Sequence, residues 1–254
     1  MLVCVARKGL IVLSLCVAAL GAWPGVAATP TEEEDLHTAL VLAGVLRAAR
    51  TVIAGHQVLI NDPERGDKGL TGDAVVSQTL EQFEKQTGSG LQQAASTSNL
   101  GRLVDAELDA IREVMDDNQN RINRQGVGFK GFVPAVFGRL VTEALQRRVG
   151  DEVLIKITAP PELVRNRKAR PDSWETAVIK EKLLSAAWPT DQVFSELTKR
   201  DDRPAFRVMV PEYYSSGCLA CHGEPKGEID ITGYPKEGRK LGDLGGVISI
   251  TLFR

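Results

Sequence analysis

Val153-Leu-Ile-Lys-Ile-Thr158 is where the apolar period of this chain changes from that of a helix to that of a strand. Val153, Ile155 and Ile157 alternate with Leu154, Lys156 and Thr158, so one side of the segment is built to face a core. The alternation returns twice downstream. Phe206, Val208 and Val210 are set against Arg207 and Met209, and Ile248, Ile250 and Leu252 against Ser249 and Thr251. Upstream the period is helical. Leu42, Val45, Ala49, Val52 and Leu59 form a stripe with Leu46, Ile53 and Ile60 beside them, while Arg47 and Arg50 lie off it and His56 fills its one gap. Thr31 and Glu34 make a capping box that opens this helix after Pro30, and Asn61-Asp62-Pro63 ends it.

Shorter amphipathic helices are expected around Val75, Val76, Leu80 and Phe83, around Leu100, Val104, Leu108, Ile111 and Met115, and around Val136, Phe137, Leu140, Val141 and Leu145. Asp172 and Glu175 mark another helix start, with Trp174 in its first turn. The acidic residues of Asp62 to Asp73 do not fall at calcium-loop spacing and lack a closing Glu, so that segment reads as a turn-rich connection. Helices and strands that do not alternate regularly predict an α+β fold: a mostly antiparallel sheet with flanking helices and a long N-terminal helix. Without a Ser/Gly/Pro-rich linker, and with no internal repeat or low-complexity tract found, residues 29–254 read as one domain.

The formal net charge of −2 comes from scattered residues with no basic stripe and no interleaved aromatics, so no nucleic-acid partner is expected. Arg7 and Lys8 precede an apolar run from Leu10 to Leu20, and Val26-Ala27-Ala28 supplies small residues for cleavage. Residues 1–28 are therefore expected to be a cleaved signal peptide that delivers the protein to the periplasm. The run falls short of the ~20 residues of a spanning helix, so no stable membrane insertion is expected. Cleavage removes Cys4 and Cys16 and leaves only Cys218 and Cys221, with no structural disulfide.

Those two cysteines stand in Cys218-Leu-Ala-Cys-His222, the attachment spacing of c-type haem. Two thiols three residues apart add to the two vinyl groups of one porphyrin, and the adjacent histidine then reaches the iron. A thiol-disulfide oxidoreductase using Cys218 and Cys221 is the lesser alternative. It would place the pair at the start of a helix after a strand, whereas Tyr213 to Gly217 and Gly223 to Gly227 are turn chemistry. A closed zinc site would need a second cysteine pair. One covalently attached haem c is the expected cofactor, and the protein is not expected to be an enzyme.

With these landmarks placed, the chain resembles a c-type haem family with a PAS-like fold, found in exported proteins and in the sensor regions of signalling proteins. Val210-Pro211, Cys218-Leu-Ala-Cys-His-Gly-Glu-Pro225 and Gly242-Asp-Leu-Gly-Gly-Val-Ile-Ser-Ile250 carry the resemblance. Gly131 to Phe137, Arg165-Asn166, Pro171-Asp172, Trp174-Glu175 and Lys68-Gly69 match more loosely. It implies a PAS-like antiparallel sheet that holds one haem, with the long helix packed against it. Some members use a cysteine as second axial ligand, and here no third cysteine survives cleavage. His56 is the leading sixth ligand, against the reading of a core histidine bonded to a backbone carbonyl; Met209, Met115, His37 or no ligand are the alternatives. Arg165 and Asn166, with Arg167, are expected to meet the haem propionates. Function then divides into a redox or gas-responsive sensor, acting on a separate signalling protein, and a periplasmic electron-transfer cytochrome with a redox partner protein. For gas sensing, a small gas is the ligand.

Overall fold

Each change of period marks a change of element. The computed structural model describes residues 30–94 and 98–254, so the expected signal peptide and its cleavage site lie outside the described residues. The chain forms α1 (Pro30–Gly55), α2 (Gln57–Ile60), α3 (Gly72–Thr87), α4 (Leu91–Ala94), α5 (Ser98–Asp117), α6 (Gln119–Ile122) and α7 (Pro134–Val149). It continues through β1 (Val153–Thr158), α8 (Ser173–Val178), β2 (Phe194–Arg200), β3 (Arg203–Tyr213), α9 (Leu219–His222) and β4 (Leu244–Phe253). The α+β expectation holds, with an antiparallel sheet in the order β1-β4-β3-β2.

Register explains the alternation. Ile155 of β1 and Val208 of β3 both lie opposite Ile250 of β4, so the apolar residues of three strands share one face. That face and the helices α1, α3, α5 and α7 enclose a common core. The edge strand β2 escaped prediction because Phe194-Ser-Glu-Leu-Thr-Lys-Arg200 is largely polar and its side chains are half-buried or exposed. A charged edge strand resists pairing with another chain and carries little period-two signal. On the opposite face Asp172 and Glu175 form the expected capping box of α8, which runs into a π-helical turn at Ile179–Leu183. There Arg207 pairs with Asp172 at 2.6 Å and lies over the Trp174 ring, while Lys156 reaches Glu175 at 2.5 Å.

Three ion pairs orient α1. Arg254 at the end of β4 bonds Asp35 near the start of α1, and Arg47 and Arg50 grip Glu212 at the far end of β3. The helix therefore runs in the direction of β3, and its C-terminal end lies beside the sheet end from which the Cys218–His222 segment departs. Thr31–Gly55 is long and apolar enough to cross a membrane, but most of its apolar stretch is buried inside the fold. The helix stops at Gly55, earlier than the predicted Asn61. His56 sits in the break with φ −96 and ψ 8, which turns its side chain off the stripe. It is half-buried rather than directed into the core, and its Nε2 lies 2.6 Å from Gln78 Oε1 on α3.

The structure corrects the expectation of no internal repeat. Helix–turn–helix units α1-α2-α3 and α5-α6-α7 match at a constant offset of 62 residues, with Gln57, Ile60, Asn61, Gly66, Lys68 and Gly69 returning as Gln119, Ile122, Asn123, Gly128, Lys130 and Gly131. Their contacts are reciprocal. Gln57 donates to the carbonyls of Ile53 and Phe132, and Gln119 to those of Met115 and Leu70. Asn123 accepts from the Lys68 amide at 3.1 Å, and Asn61 from the Lys130 amide at 3.0 Å. The Lys68 ammonium caps the carbonyls of Asp62 and Arg65, and the Lys130 ammonium those of Arg124 and Val127. Exchanged contacts of this kind are the mark of a local twofold relation. The repeat hides in the sequence because the helices keep only burial: Leu42, Val52, Ile53 and Phe83 correspond to Val104, Val114, Met115 and Leu145. At one buried pair a carboxyl replaces a hydrocarbon: Val45 returns as Glu107, fully buried with neither carboxyl oxygen hydrogen-bonded.

Candidate functional site

β3 ends in Tyr213, and the chain leaves the sheet through a turn that places Cys218 ahead of α9. This helix is one turn long and carries Cys221 and His222. Gly223 must follow, because a Cβ there would lie 2.6 Å from the Leu219 carbonyl oxygen. Residues 223–243 then fold back over the motif: Arg239 N donates to the His222 carbonyl, Gly238 N to Gly223, and Gly242 N to Tyr214. Tyr214 packs on the His222 ring, with centroids 5.0 Å apart at 33°. Its phenol is pushed up to about 12 by burial and by the Glu237 carboxylate. Gly245 makes room for it, since a Cβ there would lie 2.8 Å from the Tyr214 ring.

The histidine is held from one side. His222 Nδ1 donates to Glu237 Oε2 at 2.8 Å, and Glu237 is in turn bound by Arg165 Nε and Nη2 at 2.8 and 3.0 Å. Arg165 completes its set with Asp230 at 2.6 Å, Thr232 at 3.3 Å and the Cys221 carbonyl at 2.9 Å. These contacts use all five guanidinium N–H groups. Arg165 is thus at the motif as expected, but it ties the loop after β1 to the cysteine segment, and a propionate would have to displace one of its protein acceptors. Asn166 caps a short 3₁₀ turn by accepting from the Lys168 amide.

The residues fit a haem on four counts. Both thiols are free and partly exposed. A histidine whose Nδ1 donates to a carboxylate keeps Nε2 as the coordinating nitrogen. Arg239 holds a buried Nε with no hydrogen-bond partner beside the motif, a donor that an anionic propionate would satisfy. Exposed Ile229, Ile231 and Leu241 in the returning loop offer apolar cover for a porphyrin. The dithiol alternative draws no support from the electrostatics: burial, reinforced by Asp230, pushes the Cys221 thiol up, away from the thiolate that exchange chemistry needs.

The other expected iron ligands lie in separate surroundings. Met115 is fully buried at the repeat position of Ile53, Met209 is fully buried among Val178, Ile179, Leu183 and Val247, and His37 lines a surface groove with Leu40 and Phe83. Among the described residues no group of three or more His, Cys, Asp or Glu side chains is arranged to hold a metal ion. Glu237 and Arg239 were missed because the returning loop, rich in Gly and Pro, has no period to interpret. Their one sequence signal is proximity: a carboxylate and a guanidinium within one returning loop of His222.

No curated protein and no solved structure matches the chain. A family model does, across residues 31–252, from the first turn of α1 to the last strand. That span takes in the helical repeat, the sheet and the motif together, and it places the chain in a cytochrome-associated family. The protein belongs to the Tll0287-like family.

Proposed function

We propose that this is an exported, single-haem c-type protein that acts as a redox or gas-responsive sensor module, with Cys218 and Cys221 as the covalent anchors and His222 as the first axial ligand. The carrying observation is the built support of His222, whose Nδ1 is fixed by Glu237 while two free thiols stand beside it. Haem c supplies one-electron redox chemistry and, at an open axial position, binding of diatomic gases. The antiparallel sheet and the long α1 packed on it are what a PAS-like haem domain requires. The Arg47 and Arg50 grip on Glu212, six residues before Cys218, gives α1 a direct hold on the strand that leads into the motif.

A sensory role is favoured over electron transfer by the engagement of the alternative sixth ligands. His56 has Nε2 against Gln78, and Met115 and Met209 are enclosed in apolar cores. An electron carrier with both axial positions firmly filled is the second reading. The spectrum of the ferrous protein before and after carbon monoxide separates them. A prompt shift, unchanged in His56→Ala, is expected; a six-coordinate spectrum that ignores carbon monoxide would establish the carrier instead.

A further inference from the structure

Histidines bound to iron through Nε2 have their electron donation set by what accepts the Nδ1 proton. A neutral backbone carbonyl leaves the imidazole nearly unchanged, and a carboxylate makes it a stronger donor. In this chain the acceptor is a carboxylate with its own support. Glu237 accepts the His222 Nδ1–H hydrogen bond on Oε2, while Arg165 donates to both of its oxygens and is itself braced by Asp230, Thr232 and the Cys221 carbonyl. Tyr214 lies against the imidazole and limits its rotation.

We propose that Glu237 is the positioning residue of the iron ligand: it fixes His222 as the Nδ1–H tautomer, aims Nε2 away from the returning loop, and makes the imidazole an electron-rich donor that favours ferric over ferrous iron. Arg165 acts one step further out. By binding both the carboxylate and the backbone of Cys221, it locks the distance between the acceptor loop and the attachment segment. The proposal rests on the reading of Cys218–His222 as a haem site, and its consequence is a low reduction potential obtained without an anionic sixth ligand. A charged acceptor stabilises the oxidised, more positive iron more than the reduced one, so removing the charge raises the potential.

Glu237→Gln keeps an oxygen in place and removes the charge; Glu237→Ala removes both. In the holoprotein, Glu237→Gln is expected to retain covalent haem and to titrate at a higher potential than wild type. In the apoprotein, the ¹⁵N shifts of His222 are expected to report Nδ1–H in wild type and a mixture of tautomers in Glu237→Ala. A pigmented Glu237→Gln protein with the wild-type potential would overturn the electronic role, and an Nε2–H tautomer in wild-type apoprotein would overturn the positioning role. A wild type that binds no haem would instead overturn the haem reading, a different failure, visible before any variant is made.

Discussion

Glu107→Met is expected to stabilise the protein, by about 2 kcal/mol at pH 7.5, with a Tm higher by roughly 4–8 °C. Glu107 is fully buried on α5, neither carboxyl oxygen has a hydrogen-bond partner, and burial pushes its carboxyl well above the ordinary value. The first repeat shows what the site accommodates, since Val45 fills the same place with an apolar side chain. Even a neutral carboxyl loses its hydrogen bonds to water there. The pH dependence has a definite sign. Below the unfolded value of about 4.3, both folded and unfolded chains hold the proton. As pH rises above it, the unfolded chain releases a proton that the folded chain retains, so folding stability falls. The advantage of the variant should therefore widen from pH 4 to pH 8. Thermal unfolding at several pH values checks this, and an unchanged or lower Tm for the variant at pH 7.5 would contradict it.

Arg165→Met is expected to act in the opposite direction, with a loss of about 3 kcal/mol at pH 7. Its partner Asp230 has a fully buried side chain, and removing the guanidinium leaves that carboxylate without its cation. Burial alone would raise the Asp230 pKa, but hydrogen bonds from Thr232, Arg165 and the Tyr234 amide outweigh it and hold the carboxyl well below the usual range. Glu237 is likewise lowered, its burial outweighed by Arg165 and His222. A depressed carboxylate contributes stability above its unfolded value, near 4, and loses it as pH falls through the folded one. The gap between wild type and Arg165→Met should accordingly be full at neutral pH and narrow in acid. Because Arg165 also holds the Cys221 carbonyl, the yield of attached haem should fall with it. Urea unfolding at pH 7 and pH 3 measures the effect; a loss below 1 kcal/mol, about what an exposed pair is worth, would show that the network is solvated.

Which parts of the fold were legible follows from where periodicity is strong. Val153 to Thr158 became β1 residue for residue, and the Asp172–Glu175 box formed as expected, because both signals are local. β2 had no apolar alternation to detect. The long helix was read through His56 because the apolar stripe resumes at Leu59 and Ile60, whereas the backbone breaks after Gly55 and restarts as α2. That break is a repeated feature, recurring at Asn118 between α5 and α6, and only the reciprocal Gln57 and Gln119 bonds make it visible. At the site, Cys218, Cys221 and His222 were legible because attachment chemistry fixes their spacing. Glu237 was not, since a carboxylate that acts by accepting hydrogen bonds from within an irregular loop leaves no period in the chain, only its nearness to His222. Arg165 was legible as a residue of the site but not in its partners, because five acceptor atoms from four residues meet only after folding.

The most direct test is the intact mass of the protein after production with a haem-attachment system, taken under denaturing acid. One haem's mass is expected on wild type, carried by the peptide that contains Cys218 and Cys221, and absent when both are replaced by Ala. A wild-type chain at its bare mass, with the pigment extracted into the acid phase, would contradict the covalent haem at the centre of this account.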